Sequence, residues 1–586
     1  MESASAEDIS LSLQRFGVVD YVVFLVMLGM CSAIGVYYGF FAGKVTADEY
    51  LMGSRTMKTF PVAMSLIASM FSGITLLGFP TEIYLHGIRY AFTCLAVVLM
   101  GVVACVAYLP VLHGLRLTSV YEYLELRFSK SARIFGSLLF LISMITWQPM
   151  VMYVPALAFN HVSGVNVHII TPVVCIVCTF YTCIGGLKGV VWTDVLQTII
   201  MFVSMLLVVI KGTMDIGGAD VVWQRNLDSG RIEGPDLSMD PTERHSLMVL
   251  LLGGVFGWLY GSSVSQNMSQ RFLSLPTMKH ASIAMLIYVV GGVILLNICF
   301  YSGLLIYATY HDCDPLTTQL AKAKDQLFPL MVMKTLGEFP GMPGCFVAAV
   351  FSAALSTLST ALNSMAAVIL EDFFKTFRSK PLTERQSSIL MKTVVIVMGA
   401  VCVALVLVVE QLGHLFQVYT SFGSITYGPS LGIFSAGLFL PWVNTKGVLV
   451  GGATGLIFML WIILGSQFVI AAGGITFETK PLTVDGCTYN FTLKNITTAA
   501  HTDSDVFYLY RLSYQWYTLL GCTVTMLVSL VVSFLTGAND ARSIDHRLLS
   551  PVIRWFLPSQ KPDKGYESVE LHVIANTERE GTKKGT

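Results

Sequence analysis

Charged side chains are scarce in this sequence: they make up 12% of its 586 residues, whereas hydrophobic residues make up 54%. A soluble globular chain carries about 25% charged residues, so this composition excludes a water-soluble fold. The net charge is zero, which gives no indication of a partner. Apolar runs close to the roughly 20 residues that cross a hydrocarbon core recur along almost the whole chain. They indicate a polytopic membrane protein.

Patterns typical of enzymes are also missing. The sequence contains no nucleophile elbow GxSxG, no zinc motif HExxH and no glycine loop of the kind that cradles phosphates. We therefore predict no catalytic residues and no organic cofactor. Most of the twelve cysteines lie in apolar runs and suggest neither a metal site nor a disulfide framework. The exceptions are Cys313 and Cys487, which lie in long polar loops and form a candidate disulfide pair.

The apolar runs predict an all-α fold with thirteen membrane spans. These lie near residues 19–42, 59–80, 89–111, 133–159, 168–184, 190–211, 247–270, 281–308, 342–370, 390–409, 412–440, 447–470 and 515–536. Loops after odd-numbered spans hold many lysine and arginine residues, including Lys44, Arg116 and Lys188. By the positive-inside rule these loops are cytoplasmic. The prediction is an extracellular N-terminus (1–18), a transmembrane region (19–538) and a cytoplasmic, disordered tail (539–586).

The loop after the twelfth span supports the same orientation. Asn490 and Asn495 each begin an Asn-x-Thr acceptor for glycosylation, and this topology makes their loop extracellular. We therefore expect a glycosylated multi-pass protein.

Two spans contain residues that interrupt helices. The second span carries SLIASMFSGITLLGFP (65–80), and the seventh carries GWLYGSSVSQNMSQ (257–270). Interrupted spans at corresponding places in two halves indicate a transporter binding site, because unwound backbone is tolerated only where it lines a cavity. Spans two to six and seven to eleven are therefore predicted to form two inverted five-helix repeats.

The ninth span holds seven polar residues in FSAALSTLSTALNS (351–364). Helical spacing places Ser352, Ser356 and Ser359 on one face. Most of these side chains are expected to bond back to the preceding turn or to pack between helices. Ser356 and Thr357 have a second interpretation, since adjacent hydroxyls facing unwound carbonyls can hold a monovalent ion weakly enough to release it. Spacing alone does not separate sodium from proton coupling or from packing.

Few ionisable residues lie inside the predicted spans. Asp194, at the start of the sixth span, either guides an ion toward the cytoplasm or pairs with Lys188. Glu82 and Asp372 are expected at the membrane interface. Four aromatic residues in or beside the breaks are candidates for the wall of a substrate pocket: Trp147, Tyr153, Trp258 and Tyr260.

As a set, these segments resemble the sodium:solute symporter family, in its branch of sodium-coupled monocarboxylate, multivitamin and iodide transporters. The matching motifs run in the family's order from about residue 20 to 445 and include SLIASMFSGITLLGFPTEIY, YTCIGGLKGVVWTDVLQ, NMSQRFLS and FPGMPGCFVAAVFSAALSTLSTALNS. The resemblance implies the LeuT-like inverted-repeat fold and alternating access with sodium as the coupling ion. It also implies a plasma-membrane location and no enzymatic activity.

The resemblance further implies two sets of site residues. The sodium site matches three carbonyls and two hydroxyls, those of Ala68, Phe71, Ala353, Ser356 and Thr357. The aspartate on the ion's inner path matches Asp194. The substrate-lining positions match Ser69, Ser72, Thr75, Trp147, Trp258, Ser430 and Phe434.

Two departures from the family pattern bear on the substrate. Trp147 and Thr75 stand where the iodide transporter has tyrosine and glutamine, which disfavours iodide. The predicted function is sodium-coupled import of a small organic anion, first a monocarboxylate such as lactate, pyruvate or a short-chain fatty acid, and second a vitamin such as biotin or pantothenate. The expected partners are sodium, this anion and the lipid bilayer, with no nucleic acid. A channel and a non-transporting solute sensor are the alternatives from other classes.

Overall fold

The computed structural model describes residues 16–42, 46–378, 380–410, 415–491 and 506–557, and these ranges contain helices but no β-strand. Nine helices within them are long and apolar enough to cross a membrane: Val18–Phe41, Ile88–Gly114, Lys130–Ser163, Val167–Ile216, Met278–Thr309, Met342–Phe377, Glu384–Val409, Thr445–Ala471 and Tyr514–Thr536. Their outer faces expose large apolar side chains such as Leu25, Ile176 and Ile457. Such exposure fits contact with lipid rather than water.

Ten of the thirteen predicted spans coincide with these nine helices, because the fifth and sixth both fall in Val167–Ile216. As one straight helix, 50 residues would be about 75 Å long, more than twice the thickness of a hydrocarbon core. Gly186 interrupts the helix with φ at 55°, and a Cβ atom there would lie 2.7 Å from the ring of Tyr50. The chain therefore turns at a position that only glycine fits.

The second and seventh spans are broken, as the sequence predicts. The second bends by 57° between Thr59–Met70 and Gly73–His86. The seventh runs through the short apolar helix Val249–Val264 and continues, after one extended residue, as Gln266–Leu273. The eleventh predicted span coincides with Leu415–Phe439. Shorter helices connect these elements: Ala47–Met52, Glu122–Arg127, Ala219–Asp228 and Leu327–Leu336. The short helix Pro551–Arg554 follows the last span.

The ninth span is the centre of the molecule. In its apolar 18-residue segment 94% of the residues are buried, compared with 33% in the first span. It packs against the first, fourth, fifth and sixth spans and against both halves of the second. A Cβ atom on Gly73 would lie 2.3 Å from Pro155 and 3.5 Å from the carbonyl oxygen of Val350. The break in the second span is therefore held tightly between the fourth and ninth spans.

A disulfide between Cys313 and Cys487 joins the loop after the eighth span to the loop after the twelfth. The second of these loops covers the end of the second span, since the Lys480 amide donates to the Leu85 carbonyl at 2.8 Å. Asn490 lies in the same loop, three residues after Cys487. The predictions for Asn495, for residues 1–15 and for residues 558–586 lie outside the described residues.

Candidate functional site

The break in the second span frees backbone carbonyl groups inside the protein. Because Thr59–Met70 ends there, the carbonyls of its last turn, including that of Ala68, lack the partners that a continuing helix would supply. Phe71 follows with extended dihedral angles, φ −102° and ψ 110°. Both residues are buried, with 0% and 1% of their surface exposed. The two carbonyl groups expected from the resemblance are thus available for a ligand.

The polar residues of the ninth span lie against this break. The Ser69 hydroxyl is 3.2 Å from both the Ser356 hydroxyl and the Thr360 hydroxyl. Thr357 Oγ1 donates to the Ala353 carbonyl at 3.0 Å, so the back-bonding expected for this stripe occurs. Together these groups form a neutral, oxygen-rich environment of the type that binds monovalent cations.

A buried charged group adjoins these oxygens, and we name it the Asp194 cluster: Ser65, Asp194 and Arg271. Ser65 Oγ donates to Asp194 Oδ2 at 2.5 Å, and Arg271 Nη1 lies 3.5 Å from the same oxygen. The side chains of Asp194 and Arg271 are both 0% exposed. The Ser356 hydroxyl also contacts the Asp194 carboxylate. The cluster therefore connects directly to the polar stripe of the ninth span.

The partner of Asp194 resolves one of the alternatives left by the sequence. Lys188 Nζ lies 2.6 Å from Glu49 rather than against Asp194. Arg271, which pairs with Asp194 instead, is not among the candidates chosen from sequence. Its signal was a charged residue six positions after the break at Ser265 and one position beyond the predicted end of the seventh span.

A second buried group lies at the opposite end of the broken spans, and we name it the Glu82 cluster: Glu82, His86, Arg244 and His245. Glu82 Oε1 is 2.6 Å from Arg244 Nε, 3.2 Å from His245 Nε2 and 3.9 Å from His86 Nε2. Glu82 is only 5% exposed, so its carboxylate is enclosed by protein. The physical reason is that Arg244 and His245 come from a loop distant in sequence and cover it.

Asp372, the other carboxylate expected at the membrane interface, is also enclosed by protein. It is 0% exposed, and its carboxylate accepts hydrogen bonds from Ser119 Oγ at 2.7 Å and Ser137 Oγ at 2.8 Å. Arg133 Nε donates to the same carboxylate at 2.7 Å. These partners satisfy the buried charge and tie the end of the ninth span to the start of the fourth.

Between the two clusters lies a cavity of about 160 Å³. Six spans line it with the following residues: Met70, Thr75, Phe79, Tyr90, Trp147, Gly254, Gly257, Trp258, Ser424, Tyr427, Tyr514, Gln515 and Thr518. None of these described lining residues carries a formal charge. Tyr260 adds a second layer, since its ring stacks on that of Tyr427 with centroids 4.2 Å apart. The cavity is therefore polar and aromatic but electrically neutral.

The cavity brings together Thr75, Trp147 and Trp258 of the seven predicted substrate-lining residues. The lining does not include the other four: Ser69, Ser72, Ser430 and Phe434. Ser72 caps the helix Gly73–His86 and accepts a hydrogen bond from the amide of Thr75 at 3.4 Å. Phe434 is 0% exposed and stacks on Tyr123 at 5.7 Å. Sequence reasoning in turn missed Tyr514, Gln515 and Thr518, which belong to a span outside the predicted repeats.

Comparison with solved structures defines the class of protein first. The fold matches that of a sodium-coupled sialic acid symporter in a substrate-bound, outward-open state, with a TM-score of 0.71 and 21% sequence identity over 89% of this chain and 99% of that one. The two chains thus share one fold. The model of the sodium:solute symporter family matches residues 50–455. The chain belongs to this family, so it is a transporter with sodium as its coupling ion and not an enzyme.

Two relatives cover almost the whole chain. The human sodium-coupled monocarboxylate transporter 1 is 37% identical over 552 residues, which are 91% of this chain and 90% of the relative. The sodium-dependent multivitamin transporter of Oryctolagus cuniculus is 36% identical over 558 residues, which are 94% of this chain and 87% of the relative. These identities are too similar to select the substrate by themselves.

Proposed function

We propose that this symporter imports a small monocarboxylate, such as lactate, pyruvate or a short-chain fatty acid, together with sodium. The observation that carries the proposal is the size of the cavity, about 160 Å³. Sites for drug-sized ligands are roughly 300–1,000 Å³. A three- or four-carbon acid therefore suits this cavity better than a vitamin with a ring system and a long chain.

The chemistry of the cavity supports a monoanion. Thr75 lies in the first turn of Gly73–His86, where the positive end of the helix dipole favours a negative charge. A carboxylate at this position needs no basic side chain, in keeping with the neutral lining. The rings of Trp147 and Trp258 supply apolar walls for the body of the substrate. Ser69, Ser72, Ser430 and Phe434 are the other predicted substrate positions.

Sodium is proposed to bind between the second and ninth spans. Its ligands are the carbonyl oxygens of Ala68, Phe71 and Ala353 and the hydroxyls of Ser356 and Thr357. Asp194, which Ser356 contacts, then lies on the ion's path to the cytoplasm. Rocking of one helix bundle carries ion and anion across together. Coupling of more than one sodium to a monoanion makes transport electrogenic, worth about 2.3 kcal/mol per 100 mV for each net charge moved.

The orientation follows from the same loops that the sequence singled out. Disulfides form in oxidising compartments, so the face that holds Cys313 and Cys487 is proposed to be extracellular. Asn490 lies on that face and is the proposed glycosylation site within the described residues, with Asn495 as a second. The proposal is a plasma-membrane protein with thirteen spans in two inverted repeats, an extracellular N-terminus and a cytoplasmic C-terminus.

Uptake assays test the substrate directly. Cells expressing the protein are given labelled lactate, biotin or iodide, in sodium medium and in medium where choline replaces sodium. We expect saturable, sodium-dependent uptake of lactate, with little uptake of biotin or iodide. Uptake of biotin alone would favour a vitamin transporter, and sodium-independent, non-saturating conductance would favour a channel. Binding of lactate without accumulation would favour a sensor.

A further inference from the structure

The last span, which begins with the turn Tyr514–Trp516 and continues as the helix Tyr517–Thr536, supplies three residues of the cavity lining. These residues lie outside the segment 50–455 that the family model matches. We propose that Gln515 and Thr518 of this span determine substrate selectivity, by hydrogen bonding to an oxygen on the carbon next to the substrate carboxylate. This inference rests on the proposed function and refines it.

Close backbone contacts fix this span against the cavity. A Cβ atom on Gly253 of the seventh span would lie 2.6 Å from the carbonyl oxygen of Gln515. A Cβ atom on Gly428 of the eleventh span would lie 2.8 Å from the Cα atom of Gly521. Neither contact leaves room for a side chain. Gln515 and Thr518 are therefore held in place by the seventh and eleventh spans, whose residues line the same cavity.

Polar neighbours surround both side chains. The Gln515 carboxamide lies beside the hydroxyls of Tyr90 and Tyr514, two other lining residues. Thr518 Oγ1 lies 3.2 Å from Ser424 Oγ, and Thr518 is 3% exposed. A carboxamide offers two donors and an acceptor with two lone pairs, so these neighbours leave it capacity for a ligand. The last span thus presents an oriented polar wall to the cavity.

The other lining residues indicate which part of the substrate would contact the polar wall formed by the last span. Thr75 stands at the helix end proposed to hold the carboxylate, while Met70, Phe79, Trp147 and Trp258 offer apolar or aromatic surface. Because the cavity has a volume of only about 160 Å³, an acid bound at that end also lies close to Gln515 and Thr518. The wall therefore favours 2-hydroxy and 2-oxo acids, whose extra oxygen it satisfies, over unsubstituted alkanoates of the same length.

The experiment compares apparent KM values for lactate and butyrate in the full-length transporter. Gln515→Leu removes the carboxamide, and loss of a hydrogen bond in a desolvated site is expected to raise the KM for lactate about tenfold. The KM for butyrate, which has no second oxygen, should change by less than about twofold. Half-saturation by sodium, measured with saturating butyrate, should stay the same.

Two threonine variants supply a matched pair on the same helix face. Thr518→Val removes the hydroxyl that lines the cavity, whereas Thr525→Val makes the identical change two turns further on, at a 0% exposed position packed against the eleventh and twelfth spans. We expect Thr518→Val to lower the preference for lactate over butyrate and Thr525→Val to leave it unchanged. If Gln515→Leu does not reach the cell surface, the two threonine variants still test whether the last span determines selectivity.

The results that would overturn this inference differ from those that would overturn the proposed function. Surface-expressed Gln515→Leu and Thr518→Val proteins with wild-type selectivity would overturn this inference alone, as would an equal effect of Thr525→Val. Absence of sodium-dependent uptake of every monocarboxylate by the wild-type protein would overturn the proposed function, and this inference with it.

Discussion

The Asp194 cluster and the Glu82 cluster occupy opposite ends of the two broken spans. They differ in how their buried charged side chains are paired and in how much of each side chain remains exposed. Asp194 and Arg271 both belong to spans and have no surface exposed, with Ser65 and Ser356 as further polar neighbours. The ion pair between Glu82 and Arg244 joins a span to a loop, and these two side chains keep 7% and 13% of their surface exposed.

The two arginines differ in the contacts they make in addition to their ion pairs with Asp194 and Glu82. Arg271 Nη1 donates to the carbonyl and hydroxyl of Ser65, at 2.5 and 2.6 Å, deep between helices. Arg244 lies over the rings of Phe477 and Tyr514, at 4.5 and 5.2 Å from their centroids. Arg244 therefore retains favourable cation–π contacts and partial hydration when its ion pair is lost. Loss of a partner should consequently be more costly in the Asp194 cluster.

Arg271→Met should have the largest effect. It leaves Asp194 buried without a counter-charge, and removing one partner of a buried pair costs about 3–5 kcal/mol. The melting temperature of the purified protein in detergent measures this loss. Lys188→Met is the matched control, because its pair with Glu49 is 26% and 22% exposed and should cost less than about 1 kcal/mol. Equal destabilisation by the two variants would refute the contrast between buried and exposed pairs.

Glu82→Gln should come next. The amide keeps the shape of the carboxylate but weakens a charged hydrogen bond, so we expect a loss of about 2 kcal/mol. The same melting measurement applies, with Glu233→Gln as a control, because the Arg89 and Glu233 side chains of that pair are 35% and 29% exposed. Destabilisation by Glu82→Gln as large as that of Arg271→Met would show that the cation–π contacts of Arg244 give no compensation.

Thr357→Val should have a smaller effect of a different kind. The substitution keeps the volume and removes only the hydroxyl, so it should raise the sodium concentration for half-maximal uptake about tenfold, equivalent to about 1.4 kcal/mol. Thr357→Ser retains the hydroxyl and should behave like the wild type. Unchanged sodium activation in a surface-expressed Thr357→Val protein would exclude this residue from the sodium site while leaving the Asp194 cluster intact.

His245 should give the smallest effect, and one that depends on pH. Burial lowers its pKa from 6.5, an effect that Glu82 opposes and that Arg244 and Arg89 reinforce, while His86 also faces Glu82. Since the folded-state pKa is the lower one, the unfolded chain binds more protons below pH 6.5, and stability falls as the pH drops through that range. The contribution is at most about 1.4 kcal/mol per pH unit.

Melting curves recorded between neutral and mildly acidic pH measure this contribution. His245→Gln should reduce the slope relative to the wild type. An unchanged slope would mean that other groups carry the acid sensitivity of the Glu82 cluster.

Local patterns accounted for much of the fold. Apolar runs located the spans, and clustered glycine and serine located both breaks, because the polarity and flexibility of a segment report whether it can cross lipid as an uninterrupted helix. The spacing of Ser356 and Thr357 marked a polar stripe, which lies against the break in the second span. The sequence predicts two spans at 168–184 and 190–211, because charge and glycine separate them, and in the structure helical residues continue on both sides of Gly186.

By itself, the sequence determined that this is a membrane symporter with two interrupted spans and a stripe of hydroxyls. Only the tertiary structure decided that Asp194 pairs with Arg271 and not with Lys188, that Glu82 is covered by Arg244, and that the last span reaches the cavity. The physical reason is distance along the chain. Periodicity describes the environment of a residue on its own helix, whereas a partner 77 or 162 positions away is selected by how the helices pack.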